Sequence, residues 1–491
     1  MLSASKTSGA IAAAAGLALG AVSVIGVALF GGGAVAKADT SGPSKMSTAA
    51  DRKDVSITIY NQNFGLVRET RTMDLGTGKV SIGVGDVAGT IQPQTVAIRA
   101  TKGDIKVLEQ NYRYDLLTPS TLLEKYVGKK IRAYRYNEQS GKEDGFDATL
   151  MSYAGGQPVL EIGGEITFSF PGRLAFPGVP ANLIPKPTLV WLLESKQPKA
   201  DVEITYLAQS LNWSADYVVV VDDADAKADL TGWVTLQNNS GASYTNATLK
   251  LVAGDVNRID YGGRGDDMYP AASAAPAAPG GFKEEGLFEY HLYTLDRPTD
   301  VLEKEQKQVT LLEAKGIEVK KKLLFFGQQY WYRGQHGQVM SNQKVGVYLD
   351  IDNSQKNNLG MPLPKGVIRV YKADKSGSRQ FVGEDSIDHT PKDEKVRVKM
   401  GDAFDVVGDR KQTDFKVIGD CTIETAWEIE LRSHKDTATQ VEIWEPIGGD
   451  WKLLEQSQPS TKKDAATFTF DVDVPANGKK TVTYRVRIKY C

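Results

Sequence analysis

Apolar residues recur at every second position along most of this chain, and that alternation confines it to half-buried β-strands. Val55, Ile57 and Ile59 alternate with Ser56 and Thr58, and Val80, Ile82 and Val84 follow a Gly76-Thr77-Gly78 turn. The cleanest alternation is Val482, Tyr484, Val486 and Ile488, set between Thr483, Arg485 and Arg487. Successive strand side chains point to opposite faces, so each run offers one face to a core and one to solvent. Short strands between regular turn signals predict a sandwich or barrel. The 20 Tyr, 7 Trp and 48 Gly fit that reading, because aromatics favour strands and tight turns consume glycine. The expected fold is all-β, with tandem β-sandwich domains, one short helix and an N-terminal signal peptide.

The helix is expected after Thr118, which can cap it. Pro119 suits the first helical position, Leu122, Leu123 and Tyr126 share a face, and Gly128 can end it. Its apolar face is expected to plug the end of a sandwich. The signal is expected over residues 1–38: Lys6, an apolar run from Ile11 to Phe30, then Ala36-Lys37-Ala38. The run also approaches the ~20 residues that span a bilayer, so an uncleaved N-terminal anchor is the alternative membrane contact. Export to the periplasm, the cell surface or the medium follows from either form. With 59 Lys+Arg against 61 Asp+Glu, no basic face for nucleic acid is expected.

Composition shifts divide the remainder. Residues 39–53 are small and polar and read as a linker, followed by an N-terminal β-sandwich over 54–125. A small β domain with a proline-rich crossover covers 126–190, and a middle β-sandwich covers 191–260. Residues 261–286, rich in Gly, Ala and Pro, read as a flexible linker. A sandwich continuation is expected over 287–400 and a C-terminal β-sandwich over 401–491. Trp213, Ala215 and Tyr217 share one strand parity and are expected in the core of the middle sandwich.

The two cysteines, Cys421 and Cys491, have opposite strand parity. A disulfide therefore requires a frayed or bulged C-terminus, and a free or intermolecular thiol is the alternative. Asp385, Asp388, His389, Asp393 and Glu394 form the densest polar cluster, with Asp385, Asp388 and His389 the metal-ligand candidates, but Thr390-Pro391-Lys392 sits in its middle and reads as an exposed hairpin turn. Asp222, Asp223, Asp225 and Asp229 lack the glycine and terminal glutamate of a calcium loop and read as solvated. Lys320, Lys321 and Lys322 read as a solvated strand end. Arg264-Gly265-Asp266 reads as a chance tripeptide. Tyr330, Trp331 and Tyr332 beside Gln328, Gln329 and Arg333 are the binding candidates, since Tyr and Trp pair an apolar face with a polar tip. On a strand, Tyr330 and Tyr332 would face one side and Trp331 the other, leaving a hairpin to meet a partner or glycan. The competing reading is a hairpin whose alternate aromatics fill the core. No cofactor loop, serine elbow or metalloprotease helix is present in the sequence, and no cofactor is expected.

Several long strings have a familial look: TIYNQNFGLVRE (58–69), LEQNYRYDLLTPSTLLEKYVGK (108–129), LVWLLES (189–195), LNWSADY (211–217), GWVTLQNNSGASYTNATLKLVAGDVNR (232–258), EYHLYTLDRPT (289–299) and DHTPKDEKVRVKMGDAFDVVGDRKQTDF (388–415). Together they resemble the bacterial family known as domain of unknown function 4139, over about residues 54–489. That resemblance implies exported, mostly β proteins of bacterial envelopes and supplies no catalytic residues. The sequence departs from it at 261–286 and 323–343. The expected function is that of a non-enzymatic envelope protein, a structural or binding sandwich module whose partner is an envelope protein or glycan. A metal-dependent envelope hydrolase and a surface adhesin are the alternatives.

Overall fold

The computed structural model describes residues 43–180, 183–258 and 281–491. The expected signal segment, the Arg264-Gly265-Asp266 tripeptide and most of the 261–286 linker lie outside the described residues. What is described is β throughout, apart from short turns and the helix Pro119–Tyr126. Thr118 caps that helix through a reciprocal bond with Thr121, Pro119 opens it, and Gly128 follows at φ 79°. Rather than plugging a sandwich, the helix covers a five-stranded sheet built from Lys130–Asn137, Lys142–Ser152 and three shorter strands. Tyr126, Ile131, Ala133, Ala148, Leu150 and Leu160 form a separate core there, with Leu122 and Leu123 packed against it.

Two further sheets share the largest core. The first orders Lys45–Ser47, Gly78–Val84, Thr188–Ser195 and Ile105–Arg113. The second places Tyr244–Ala253, Arg52–Tyr60, Phe64–Asp74 and Lys199–Gln209 side by side. Sheet membership does not follow chain order. Arg52–Tyr60 lies parallel to Tyr244–Ala253, with Ile57 opposite Leu249, so stretches expected in separate N-terminal and middle sandwiches share one sheet. Lys45–Ser47, expected within a linker, pairs in parallel with residues 82–84. A Cβ on Gly83 would lie 2.3 Å from the Met46 sulfur and 2.7 Å from Pro43 Cγ, so the parallel pairing brings that strand close over the glycine. Alternation marks a strand but not its partner, and these partners are far apart in sequence.

The fourth sheet carries thirteen strands. Its path runs from Arg379–Ile387 through Gly366–Ala373, Leu211–Val221, Lys227–Asn238, Glu305–Phe326 and Met340–Asp352 to Lys395–Gly419. It continues to Thr422–Ser433, Lys479–Lys489 and Asp450–Gln456. Two of these strands are very long, 22 and 25 residues, and the longer runs straight through the domain boundary expected at 400 and 401. Val319, Leu349 and Val398 belong to the large core, whereas Leu323, Val345 and Ala403 on the same three strands belong to a separate C-terminal core. The sheet curls until its first strand, Arg379–Ile387, returns beside Lys395–Gly419 without forming a ladder. At that closure a Cβ on Gly383 would lie 2.4 Å from the Met400 carbonyl oxygen, and Asp385 Oδ2 accepts the Lys399 N–H at 2.7 Å.

Trp213 and Tyr217 are buried as expected. Trp213 Nε1 donates to the Val252 carbonyl at 3.2 Å, and the Tyr217 hydroxyl donates to the Pro364 carbonyl at 2.8 Å. Trp213→Ala is expected to cost ~3–5 kcal/mol by emptying that space, read from denaturant unfolding. An unchanged midpoint would place the indole outside the core.

Candidate binding cleft between the two cores

The aromatic segment is not a strand. Gln329–Arg333 forms a short 3-10 turn, whose tight winding lets the consecutive Trp331 and Tyr332 both turn inward while Tyr330 stays 62% exposed. The Tyr332 hydroxyl donates to Glu445 Oε2 at 2.5 Å and shares a 2.8 Å hydrogen bond with the Tyr484 hydroxyl. Arg410 donates to both Glu445 oxygens, at 2.9 and 2.6 Å, and its guanidinium lies 4.9 Å from the centre of the Trp331 ring. This segment therefore closes the C-terminal core, and of the three candidates only Tyr330 is available to a partner. Trp331→Ala is expected to destabilise the protein by ~3–5 kcal/mol, measured as a lowered unfolding midpoint. Unchanged stability would return the ring to the surface.

The metal candidates are held apart by other duties. Asp385 bridges the two strand edges described above. Asp388 is exposed, and its backbone carbonyl accepts the Thr390 hydroxyl. His389 Nδ1 accepts the Lys365 backbone N–H at 3.2 Å, so the neutral ring carries its proton on Nε2, 3.4 Å from the Asn61 amide nitrogen. Turning that amide over brings Asn61 Oδ1, otherwise buried without a partner, onto the ring N–H. Among the described residues, no group of three or more His, Cys, Asp or Glu side chains is placed to hold a metal ion. Burial, aided by the Lys365 charge, pushes the His389 pKa below its ordinary value. The unfolded chain then takes up the proton first, so stability is lost as pH falls through about 6.5 toward the lower folded value. Melting temperatures between about pH 7.5 and 5 should show this decline, and His389→Gln should flatten it.

The cleft with ligand-like chemistry lies where the curled sheet opens toward the C-terminal core. It has a volume of about 300 Å³ and is lined by Val221, Val347, Leu349, Val382 and Met400, with Asp225, Lys321, Lys372 and Tyr348 at its polar side. Two bulges build it. Val382 is the extra residue where Val370 and Tyr371 pair with Gly383 and Phe381, and Met400 is the extra residue opposite Val347 and Tyr348. Bulges re-aim side chains, and here both extra residues line the same gap. Lys321 follows the inward parity of Val319 and Leu323 but falls where one core has ended and the next has not begun. Asp225, in a turn at φ 57°, receives Lys321 Nζ at 2.6 Å on one oxygen and Lys372 Nζ on the other. Burial pushes the Asp225 carboxyl up, but the two lysine hydrogen bonds outweigh it and hold the pKa below the usual carboxylate value.

The family model described as domain of unknown function (DUF4139) matches residues 202–491. The chain belongs to the DUF4139 family. A search of curated proteins finds no match. Every residue lining the cleft falls inside the DUF4139 match, as do Cys421, Cys491 and the Arg410–Glu445 pair. A second opening, near residues 45–53, falls outside it, and there Lys45 pairs with Asp74 and Lys53 with Asp201. The DUF4139 cleft was not legible in the sequence as a unit. Asp225 and Lys321 stand in two groups that read separately as a solvated loop and a strand end, and Lys372 and Met400 carry no signal of their own. Asp222, from the same acidic run, accepts the Ala226 and Lys227 N–H groups of its own turn.

The cysteines are joined. Cys421 lies in the turn between Lys395–Gly419 and Thr422–Ser433, and Cys491 lies just past Lys489, the partner of Thr422, with a Cα–Cα distance of 5.7 Å. Both residues sit beyond the last paired positions, so strand parity no longer separates them.

Proposed function

We propose that this DUF4139 protein is exported and works in the bacterial cell envelope as a non-enzymatic structural or binding module. The observation that carries this is the passage of three long strands through two cores, with a lined cleft at the junction. Clefts of mixed apolar and charged lining at domain junctions and barrel mouths are common binding sites. Export is supported by the signal-like layout of residues 1–38 and by the Cys421–Cys491 bond, since disulfides persist in oxidising compartments. The partner is an envelope protein or glycan. Crosslinking the protein in intact envelopes, followed by affinity capture, is expected to recover a defined partner. A purified mature protein that turns over an envelope polymer would overturn the proposal.

A further inference from the structure

We infer that the protein pairs with a second copy of itself through the strand Glu165–Phe168, joining two five-stranded sheets edge to edge about a two-fold axis at Thr167. This strand is one edge of the five-stranded sheet, and among the described residues no strand of that sheet pairs with another sheet. Its partner is Val159–Ile162, with Glu165 opposite Ile162 and Phe168 opposite Val159. The turn between them, Gly163-Gly164, has φ of 61° and 86°, the two-residue type I′ loop that closes on a hydrogen-bonded pair. Pairs in an antiparallel ladder alternate, so Glu165 and Thr167 direct their N–H and C=O groups at Val159–Ile162. Those of Ile166 and Phe168 point the other way, to the open edge. The Thr167 hydroxyl reaches the Phe168 carbonyl at 3.4 Å, a long contact that leaves the second lone pair of that oxygen free.

Natural sheet edges are blunted by lysine, proline, a bulge or short length. This one is short, but its ladder runs without a register shift and Glu165 is its only charge. Ile166 and Phe168 stand 69% and 71% exposed, on the face turned away from Leu160 and its core. The strand itself argues for a copy of this chain as occupant. Turned about the axis, a second copy sets Ile166 opposite Phe168 of the partner subunit, and Phe168 opposite the partner's Ile166. Both are hydrogen-bonded pairs, so every open N–H and C=O group on the two edges is taken up. Sliding the register either way instead brings Gly164, inside the turn, or Phe170, beyond the left-handed Ser169, opposite an open group. The side chains agree with the backbone. On the exposed face Val159, Phe168 and the partner's Ile166 form one apolar row, and aromatic against β-branched is a favourable cross-strand pair. Glu165 falls opposite Ser169 of the partner subunit, so the two Glu165 carboxylates do not meet. The contact is isologous and closes at two copies.

Sedimentation equilibrium of the mature chain over a concentration series tests this, and the mass is expected to rise toward twice that of the monomer. Ile166→Pro removes an outward N–H and no bond to Val159–Ile162, so it should hold the protein at monomer mass with its melting temperature nearly unchanged. Ile166→Lys should do the same without altering the backbone. Thr167→Cys places a thiol where the Cα atoms of the two copies would lie about 4.5 Å apart, within disulfide reach. Mild oxidation should crosslink it, whereas Glu165→Cys should stay uncrosslinked. Cys421 and Cys491 are bonded to each other, so the added thiol is the one free to react. The inference is overturned if the parent keeps monomer mass at every concentration, if either Ile166 variant stays folded and dimeric, or if Glu165→Cys crosslinks as readily as Thr167→Cys. A strictly monomeric protein that still recovers an envelope partner would overturn the self-pairing and leave the binding module standing.

Discussion

Arg410→Met is expected to destabilise the protein by ~3–5 kcal/mol, because it leaves Glu445 charged, buried and without its cation. Both side chains are essentially inaccessible, 1% and 0% exposed. Phe325, Trp331 and Trp427 surround the guanidinium, and Tyr332 and Tyr484 supply the remaining donors to Glu445. Burial alone would lower the Arg410 pKa, but the Glu445 charge reverses that and keeps the guanidinium protonated. The double variant Arg410→Met with Glu445→Leu should recover most of the loss, since a well-packed apolar replacement removes both desolvation penalties. Urea unfolding followed by tryptophan fluorescence measures both, as Trp331 and Trp427 lie against the pair. A single variant as stable as the parent would show that the pair does not hold this core together.

Loss of the Cys421–Cys491 bond is expected to have an effect of similar size. The bond closes a loop with a sequence separation of 70 that contains the edge and inner strands of the C-terminal sandwich. In the chain-entropy model, freeing a loop of that length costs ~4 kcal/mol through the unfolded state. The double variant Cys421→Ser with Cys491→Ser should melt well below the parent, and reductant should lower the parent's melting temperature to match. Equal melting of oxidised and reduced protein would mean that the pairing of Thr422–Ser433 with Lys479–Lys489 already restrains this region.

Local chemistry was legible wherever one segment decided the outcome alone. The Thr118–Pro119 start of the helix, the shared parity of Trp213 and Tyr217 and the β character of nearly every described segment follow from caps, turns and period two. The candidate site was not legible in that way. Tyr330, Trp331 and Tyr332 read as a projecting strand because aromatic density carries no backbone angle, and the 3-10 turn that buries two of them depends on Glu445 and Tyr484, more than a hundred residues away. The His389 surroundings show the same gap: its partners are Asn61 and Lys365, not the neighbouring aspartates.

The sequence by itself determined that this chain is all-β, that it belongs with the DUF4139 proteins, and which face of most strands is buried. Side-chain alternation and long ordered motifs are local properties that survive in one dimension. Only the tertiary structure decided which strands pair, that three of them thread two cores, that two cysteines of opposite parity meet, and that Asp225, Lys321, Lys372, Val382 and Met400 line one cleft. Pairing energy is nearly the same for many strand partners, so the choice is made by the combined packing of distant faces and by bulges whose effect appears only once the sheet has curled.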